Sequence, residues 1–359
     1  MTGTPLARPR WYRAATLAAA LLLALAAALL CVRLDTPLPW MIGPLFASAG
    51  ACMLGVPLKA PVQVRYAGQW AIGTTLGLYF TAQVVGTLAS WAGWIVLAVL
   101  FALALGMAAG RLLQALSGAD FVTCFFAMAV GGASEMAAQG ERHGAAVERV
   151  AAAHSVRMML VVATIPFAIR WWSGHGLPAV IDLYVPGATE VRVAGLLLLI
   201  ALTALGALAL MRLDSPNAWV IGPLLVAMVL TASGLHLSRI PEWMIHLGQL
   251  FIGVSLGTRF TPAFVHTAPR FMAGAAVCAL LMIGLGAAFG ALLAALAGIN
   301  PGVAVLATSP GGIAEMSLTA RVLHLGVPIV TAFHVTRMVA VVLLIGPLYR
   351  RSAARRAPP

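Results

Sequence analysis

Apolar positions run through this chain in stretches far longer than a soluble helix or strand requires. Nearly uninterrupted runs at 14–32, 91–109, 193–211, 271–297 and 327–348 each suffice to cross a bilayer, which takes about 20 helical residues. Glycines, prolines and short polar patches divide the sequence into twelve apolar segments. Six lie at 13–32, 40–56, 63–80, 86–109, 121–138 and 148–169. Six more lie at 192–211, 218–235, 243–260, 268–297, 301–319 and 327–348. No stretch is left over for a soluble domain. The run at 14–32 follows Arg8, Arg10 and Arg13 like a signal peptide, but it reads as a retained first helix because a matching run lies inside the chain at 193–211.

The few polar residues inside these segments recur. Arg-Leu-Asp-Thr-Pro at 33–37 and Trp-Met-Ile-Gly-Pro-Leu at 40–45 return 179 residues later as Arg-Leu-Asp-Ser-Pro and Trp-Val-Ile-Gly-Pro-Leu. Gly-Gly-Ala-Ser-Glu-Met at 131–136 and His-Ser-Val-Arg-Met at 154–158 return 180 residues later as Gly-Gly-Ile-Ala-Glu-Met and His-Val-Thr-Arg-Met. Duplication in an apolar chain is a signature of transporters built from two related bundles. The pattern predicts an all-α polytopic membrane protein of two homologous repeats, each with about six segments, giving 10–12 helices. The expected divisions are a first repeat over 1–170, a linker over 171–191, a second repeat over 192–349 and a basic cytoplasmic tail over 350–359.

Segment five of each repeat is short and carries a glycine pair, Gly131-Gly132 or Gly311-Gly312, the second preceded by Pro310. Such residues favour a break in a helix. Broken helices at membrane depth persist only where protein or a water-filled cavity satisfies the freed backbone. Basic residues bear on whether the segment crosses. If all twelve segments cross, the split is 13 inside and 7 outside, with Arg157 and Arg337 in the membrane. If segment five is re-entrant, the split becomes 15 and 5. The positive-inside rule prefers the re-entrant form, whose five crossings per half give inverted repeats with both termini cytoplasmic.

Composition agrees with the pattern: 62% of residues are hydrophobic and 9% charged, against roughly 25% charged in a soluble domain. The net charge of +12 would suggest nucleic acid for a soluble protein. Here it reads as cytoplasmic flanking charge, and no DNA- or RNA-binding motif accompanies it, so direct nucleic-acid binding is not expected. Cys31, Cys52, Cys124 and Cys278 lack CxxC spacing and read as packing residues. No cofactor or metal is expected. The partners are the lipid bilayer and a small-molecule or ion substrate, with the oligomeric state open, a homo-oligomer included.

Glu135 and Glu315 are the leading candidates for chemistry, because an intramembrane carboxylate is costly and marks function by default. Each reads alternatively as a helix cap or the partner of an arginine. Arg157 and Arg337 follow His154 and His334 by three residues, so each pair shares one helix face. These faces present guanidinium groups to an anion or to the glutamates. The histidines suit a proton relay or a hydrogen bond to a neighbouring helix. Gly131, Gly132, Gly311 and Gly312 mark half-helix ends. Gln69 and Gln249 recur ahead of GxxxG spacings that let helices approach closely. The Gly-Pro pairs at 43–44 and 222–223 read either as packing kinks or as unwound site segments. Asp35 and Asp214 read as helix N-caps.

The paired Trp-x-Ile-Gly-Pro-Leu, Gly-Gly-x-x-Glu-Met and His-x-x-Arg-Met motifs resemble the AbrB family of bacterial integral membrane proteins in its duplicated form, over about 30–350. Members have been labelled ammonia monooxygenases and regulators of gene expression. The resemblance implies a bacterial inner-membrane protein with an indirect effect on regulation at most. An oxygenase would need a His- or carboxylate-rich metal constellation, and among the histidines only His154 and His334 recur. The residues themselves read as a secondary-transporter-like permease for a small anionic solute with proton or cation coupling. The alternative is a membrane sensor or regulator affecting gene expression, which binds a ligand without transporting it.

Overall fold

The structure is a computed structural model that describes residues 10–175, 186–188, 190–260 and 268–354, with side chains described over 15–352. Most of the linker expected at 171–191 and half of the basic tail lie outside the described residues. Among those described, the chain forms fifteen α-helices. The first half carries α1 (Arg10–Arg33), α2 (Pro39–Met53), α3 (Val62–Gly77), α4 (Ala82–Ser90), α5 (Ala92–Ser117), α6 (Phe121–Met128), α7 (Ala133–Glu141) and α8 (Val147–Ser173). The second carries α9 (Val193–Arg212), α10 (Ala218–Ala232), α11 (Glu242–Gly257), α12 (Pro269–Ala297), α13 (Pro301–Thr308), α14 (Ile313–Val322) and α15 (Val327–Ala354). Six helices are long and apolar enough to span a membrane: α5, α8, α9, α12, Ala15–Arg33 of α1 and most of α15. The protein is therefore multi-pass. The short α4 was not expected; it meets α3 at an 85° bend.

The helices sort into two packed groups. In the first, α1 lays an alanine stripe against α2: Ala20, Ala24 and Ala28 are fully buried, at the i, i+4 spacing of one helix face. Gly43 admits the α1 backbone there, since a Cβ would stand 2.6 Å from the Ala27 carbonyl oxygen. The next contacts cross between halves. Gly253 and Gly257 of α11 lie against the Met41 and Leu45 carbonyls of α2, while Gly73 and Gly77 of α3 lie against those of Val220 and Leu224 on α10. At the centre Gly68 meets the Gly248 carbonyl. The GxxxG spacings thus serve close packing, and each half packs its third segment on the other half's second. Trp40 stacks on His246 at 4.7 Å and Tyr66 on Trp219 at 5.4 Å along the same seams.

Pro44 and Pro223 stand inside unbroken α2 and α10. The Gly-Pro pairs are therefore not unwound site segments. Each proline sits in the second turn, where its missing N–H costs one intrahelical bond. The N-cap reading of the aspartates also needs correction. Leu38 and Asn217 occupy the cap positions, without side-chain caps. Asp35 and Asp214 lie three residues earlier with left-handed backbones. Asp35 instead pairs with Arg170 at the end of α8.

The second group is α5–α8 with α12–α15. Phe101 of α5 stacks on Phe289 of α12 at 3.9 Å. Segment five is broken in both halves, into α6 and α7 and into α13 and α14. Gly106 and Gly110 of α5 admit the α6 backbone, and Gly286 and Gly290 of α12 admit that of α13. After α7 the chain is back where α6 began: the Ala146 amide donates to Thr123 Oγ1 at 2.8 Å, at the first turns of α8 and α6. After α14, Gly326 likewise lies beside Val303 in the first turn of α13. Each broken segment is thus a hairpin with its glycine pair at the tip.

Candidate functional site

Ending a helix in an apolar interior leaves carbonyls without donors. The His-x-x-Arg motifs supply them. His154 Nε2 lies 3.0 Å from the Phe126 carbonyl, and Arg157 donates through its Nη1 to Ala129 O at 2.8 Å and through its Nη2 to Gly131 O at 3.2 Å. Arg157 Nη2 also lies 3.0 Å from His154 Nδ1. Arginine only donates, so that nitrogen accepts, and the proton sits on Nε2, where it bonds the carbonyl. The imidazole is neutral and splints the guanidinium. The second half repeats the geometry. His334 Nε2 meets the Leu306 carbonyl at 2.9 Å, and Arg337 bonds Ser309 O and Gly311 O, each at 2.5 Å, and His334 Nδ1 at 2.9 Å. His154, Arg157, His334 and Arg337 are all buried.

Of the two readings open for these arginines, an ion pair with the glutamates is not what the structure holds. Among the described residues neither Arg157 nor Arg337 makes an ion pair. Their Nη donors are committed to the broken backbone, and each keeps a buried, unpartnered Nε.

Glu135 and Glu315 stand in the first turns of α7 and α14, with Gly132 and Gly312 as N-caps. Each carboxylate folds back over its capping glycine and fills the space a Cβ there would take, which explains the Gly-x-x-Glu spacing. A carboxylate at a helix N-terminus also meets the positive end of the helix dipole. The two differ in surroundings. Glu315 is buried, 6% exposed. Glu135 is half-buried and accepts from the Asn217 amide at 3.2 Å, at the start of α10.

Both hairpin tips open onto one cavity of about 120 Å³ between the two packed groups. Eleven of the twelve residues expected at the site line it: Glu135, Glu315, Arg157, Arg337, His154, His334, the four tip glycines and Gln69. Gln249 does not; it is buried on α11, outside the lining. Ser134, beside Glu135, also lines it, as do three polar residues that the sequence reading passed over and that lie outside the recurring motifs, Arg65, Arg259 and Asn217. Their partners in the duplication offset are Ile245, Tyr79 and Leu38, so a search for recurring residues discards them. Four arginines against two glutamates leave the lining positive.

The cavity is open on one side. A vestibule of about 420 Å³ shares Arg65, Gln69, Ser134, Glu135 and Asn217 with it and continues past Arg142 and Asp214. The matching positions around Glu315 are shut: Leu38, Leu318 and Thr319 are fully buried. Ion pairs between the two packed groups stand away from the vestibule. Arg170 of α8 holds Asp35, and Arg321 of α14 holds Glu242 of α11 at 2.7 Å, with Arg239 on the same carboxylate. On the vestibule side Asp214 and Arg350 occupy the offset positions of Asp35 and Arg170, and among the described residues they form no ion pair.

The chain resembles known proteins along most of its length. It is 27% identical over 331 residues to "Uncharacterized protein YhjN" of Bacillus subtilis (strain 168), covering 87% of this chain and 86% of that protein. It is 28% identical over 326 residues to "Putative regulator AbrB" of Escherichia coli (strain K12), covering 90% and 92%. Neither name is that of an enzyme. Residues 40–353 match the family described as "Transition state regulatory protein AbrB", and this multi-pass membrane protein, with its two broken hairpins meeting at a positively lined cavity, belongs to that family.

Proposed function

We propose that this protein is a secondary-transporter-like permease of the bacterial cytoplasmic membrane. In this reading it is built from two inverted repeats, over 1–170 and 192–349, and carries a small anionic solute with a proton or cation. One observation carries the proposal: two broken hairpins bring their tips to one polar cavity that is open to one side and shut to the other. A site between two bundles that opens to one side at a time is what alternating access uses. The Arg170–Asp35 ion pair supports the inverted topology. With α6 and α7 re-entrant, four crossings separate Asp35 from Arg170 and both reach the same face. With α6 and α7 as a crossing, five would separate them and the pair could not form. The vestibule then faces the cytoplasm, as do both termini with their arginines. Lipid covers the outward faces of α1 and α9, where Leu22, Leu29, Leu197 and Leu205 are exposed.

Topology is checked with single cysteines at His143 and His324 in a background lacking the four native cysteines. An impermeant thiol reagent applied to intact cells should label position 324 and spare position 143. Equal labelling of both would sink the inverted arrangement.

The coupling role falls to Glu135 and Glu315. In proteoliposomes with an imposed proton gradient, uptake from a panel of small anions should identify a substrate. Glu135→Gln and Glu315→Gln should then abolish or uncouple uptake while leaving the protein monodisperse. Normal uptake by both variants would reduce the carboxylates to helix caps. A second reading is favoured by the wording of the family description and of the Escherichia coli relative's name. In it the same cavity senses a solute without moving it, and binding would occur without uptake.

A further inference from the structure

Arg259 follows the C-cap of α11, and Arg65 lies in the first turn of α3, both on the crossed-helix group. Each lines the cavity. They stand within electrostatic reach of each other, and Arg259 also within reach of Glu135 and Glu315. Among the described residues neither forms an ion pair. Arg65 lies over the Tyr66 ring, 5.7 Å from its centroid. By contrast Arg157 and Arg337 are spent on the hairpin carbonyls. Two like charges facing one small cavity repel, and an anion between them turns that repulsion into attraction. A guanidinium fork matches a planar carboxylate through two parallel hydrogen bonds.

The rest of the lining restricts the anion further. Val220, Ile252, Leu256, Ile313 and Met338 supply apolar wall. A bare inorganic anion would lose hydration against that wall and gain nothing from it, whereas an alkyl group is stabilised there by leaving water. The volume admits a short chain only.

We infer that the cavity takes a short-chain aliphatic monocarboxylate, its carboxylate held by Arg259 and Arg65 and its alkyl end against Ile252, Leu256 and Met338. The inference rests on the permease reading for the cavity's role and deepens it by naming the ligand class. It also assigns the anion to the two arginines that do not recur between halves. The ligand then bridges the two packed groups, with its head on one and the hairpin tips of the other beside it.

The test is calorimetric titration of the full-length protein in lipid nanodiscs with sodium acetate, propionate and butyrate. Sodium chloride, sodium phosphate and methylammonium chloride serve as comparators. We expect propionate or butyrate to bind more tightly than any comparator. Arg259→Gln and Arg65→Gln should each weaken that binding at least tenfold, and Ile252→Phe should weaken butyrate more than acetate. Each variant is first shown to match the parent in elution profile and melting temperature. If one fails that comparison, the other arginine variant and Ile252→Phe decide. Tighter binding of chloride, phosphate or methylammonium, no binding of any carboxylate, or affinity within twofold of the parent in the folded arginine variants would each overturn the inference. Proteoliposome uptake of other solutes would still support the permease in those cases, so the two failures are separable.

Discussion

Arg337→Leu should leave little or no monodisperse protein. The substitution fills much of the same volume, so cavity formation is not the cause. What is lost is the donor set at the tip of the second hairpin, where Arg337 holds Ser309 O and Gly311 O and is itself splinted by His334. A buried carbonyl left without a donor costs about 1–3 kcal/mol, so the two together cost about 2–6 kcal/mol. That approaches the whole stability of many folds, about 5–15 kcal/mol. Arg157→Leu should act in the same direction but less strongly, because its tip borders the open vestibule where water can replace a donor. Fluorescence-detected size exclusion and melting curves in detergent would measure both. A variant Arg337→Leu that elutes and melts like the parent would show that the guanidinium is not what closes the helix break.

The second large effect belongs to the crossed glycines. Gly257→Leu should prevent α11 from seating on α2. A Cβ at Gly257 would stand 2.5 Å from the Leu45 carbonyl oxygen, 2.7 Å from Ser48 Cβ and 2.9 Å from the Ala49 nitrogen. Overpacking against side chains typically costs about 1–3 kcal/mol because side chains can move. Here two of the three obstacles are backbone, so the helices themselves must separate and the cost is larger. Gly284→Leu is the matched control, since nothing lies within 4 Å of a Cβ there. We expect it to express and melt like the parent. Comparable losses from both substitutions would mean that leucine at a membrane glycine is harmful in itself, and the close approach of α11 to α2 would lose its support.

Much of this architecture was legible in the sequence, for identifiable reasons. Long apolar runs fixed the spanning helices because hydrocarbon tolerates little else. The glycine pairs announced the breaks, and the recurring His, Arg and Glu positions announced what surrounds them. Roles were harder to read than places. Spacing alone could not tell whether Arg157 and Arg337 face an anion, a glutamate or a carbonyl, because any of these satisfies a guanidinium. Arg65 and Arg259 escaped because each sits near a segment end, where a basic residue reads as flanking charge. The α4 bend escaped because its sequence is as apolar as a span. The crossing of α3 onto α10 and α11 onto α2 was invisible, since GxxxG spacing declares a close neighbour without saying which.

That crossing sets terms for how the protein is made. As the first half leaves the ribosome, α2 and α3 enter the bilayer with their glycine grooves facing partners not yet synthesised. The α5–α8 group can begin to assemble early, while α2 must wait for α11, some two hundred residues later. Such distant pairings close slowly. Until then the grooves must be kept from wrong helices by lipid or by the insertion machinery, so the risk of misassembly peaks between the emergence of α3 and that of α11.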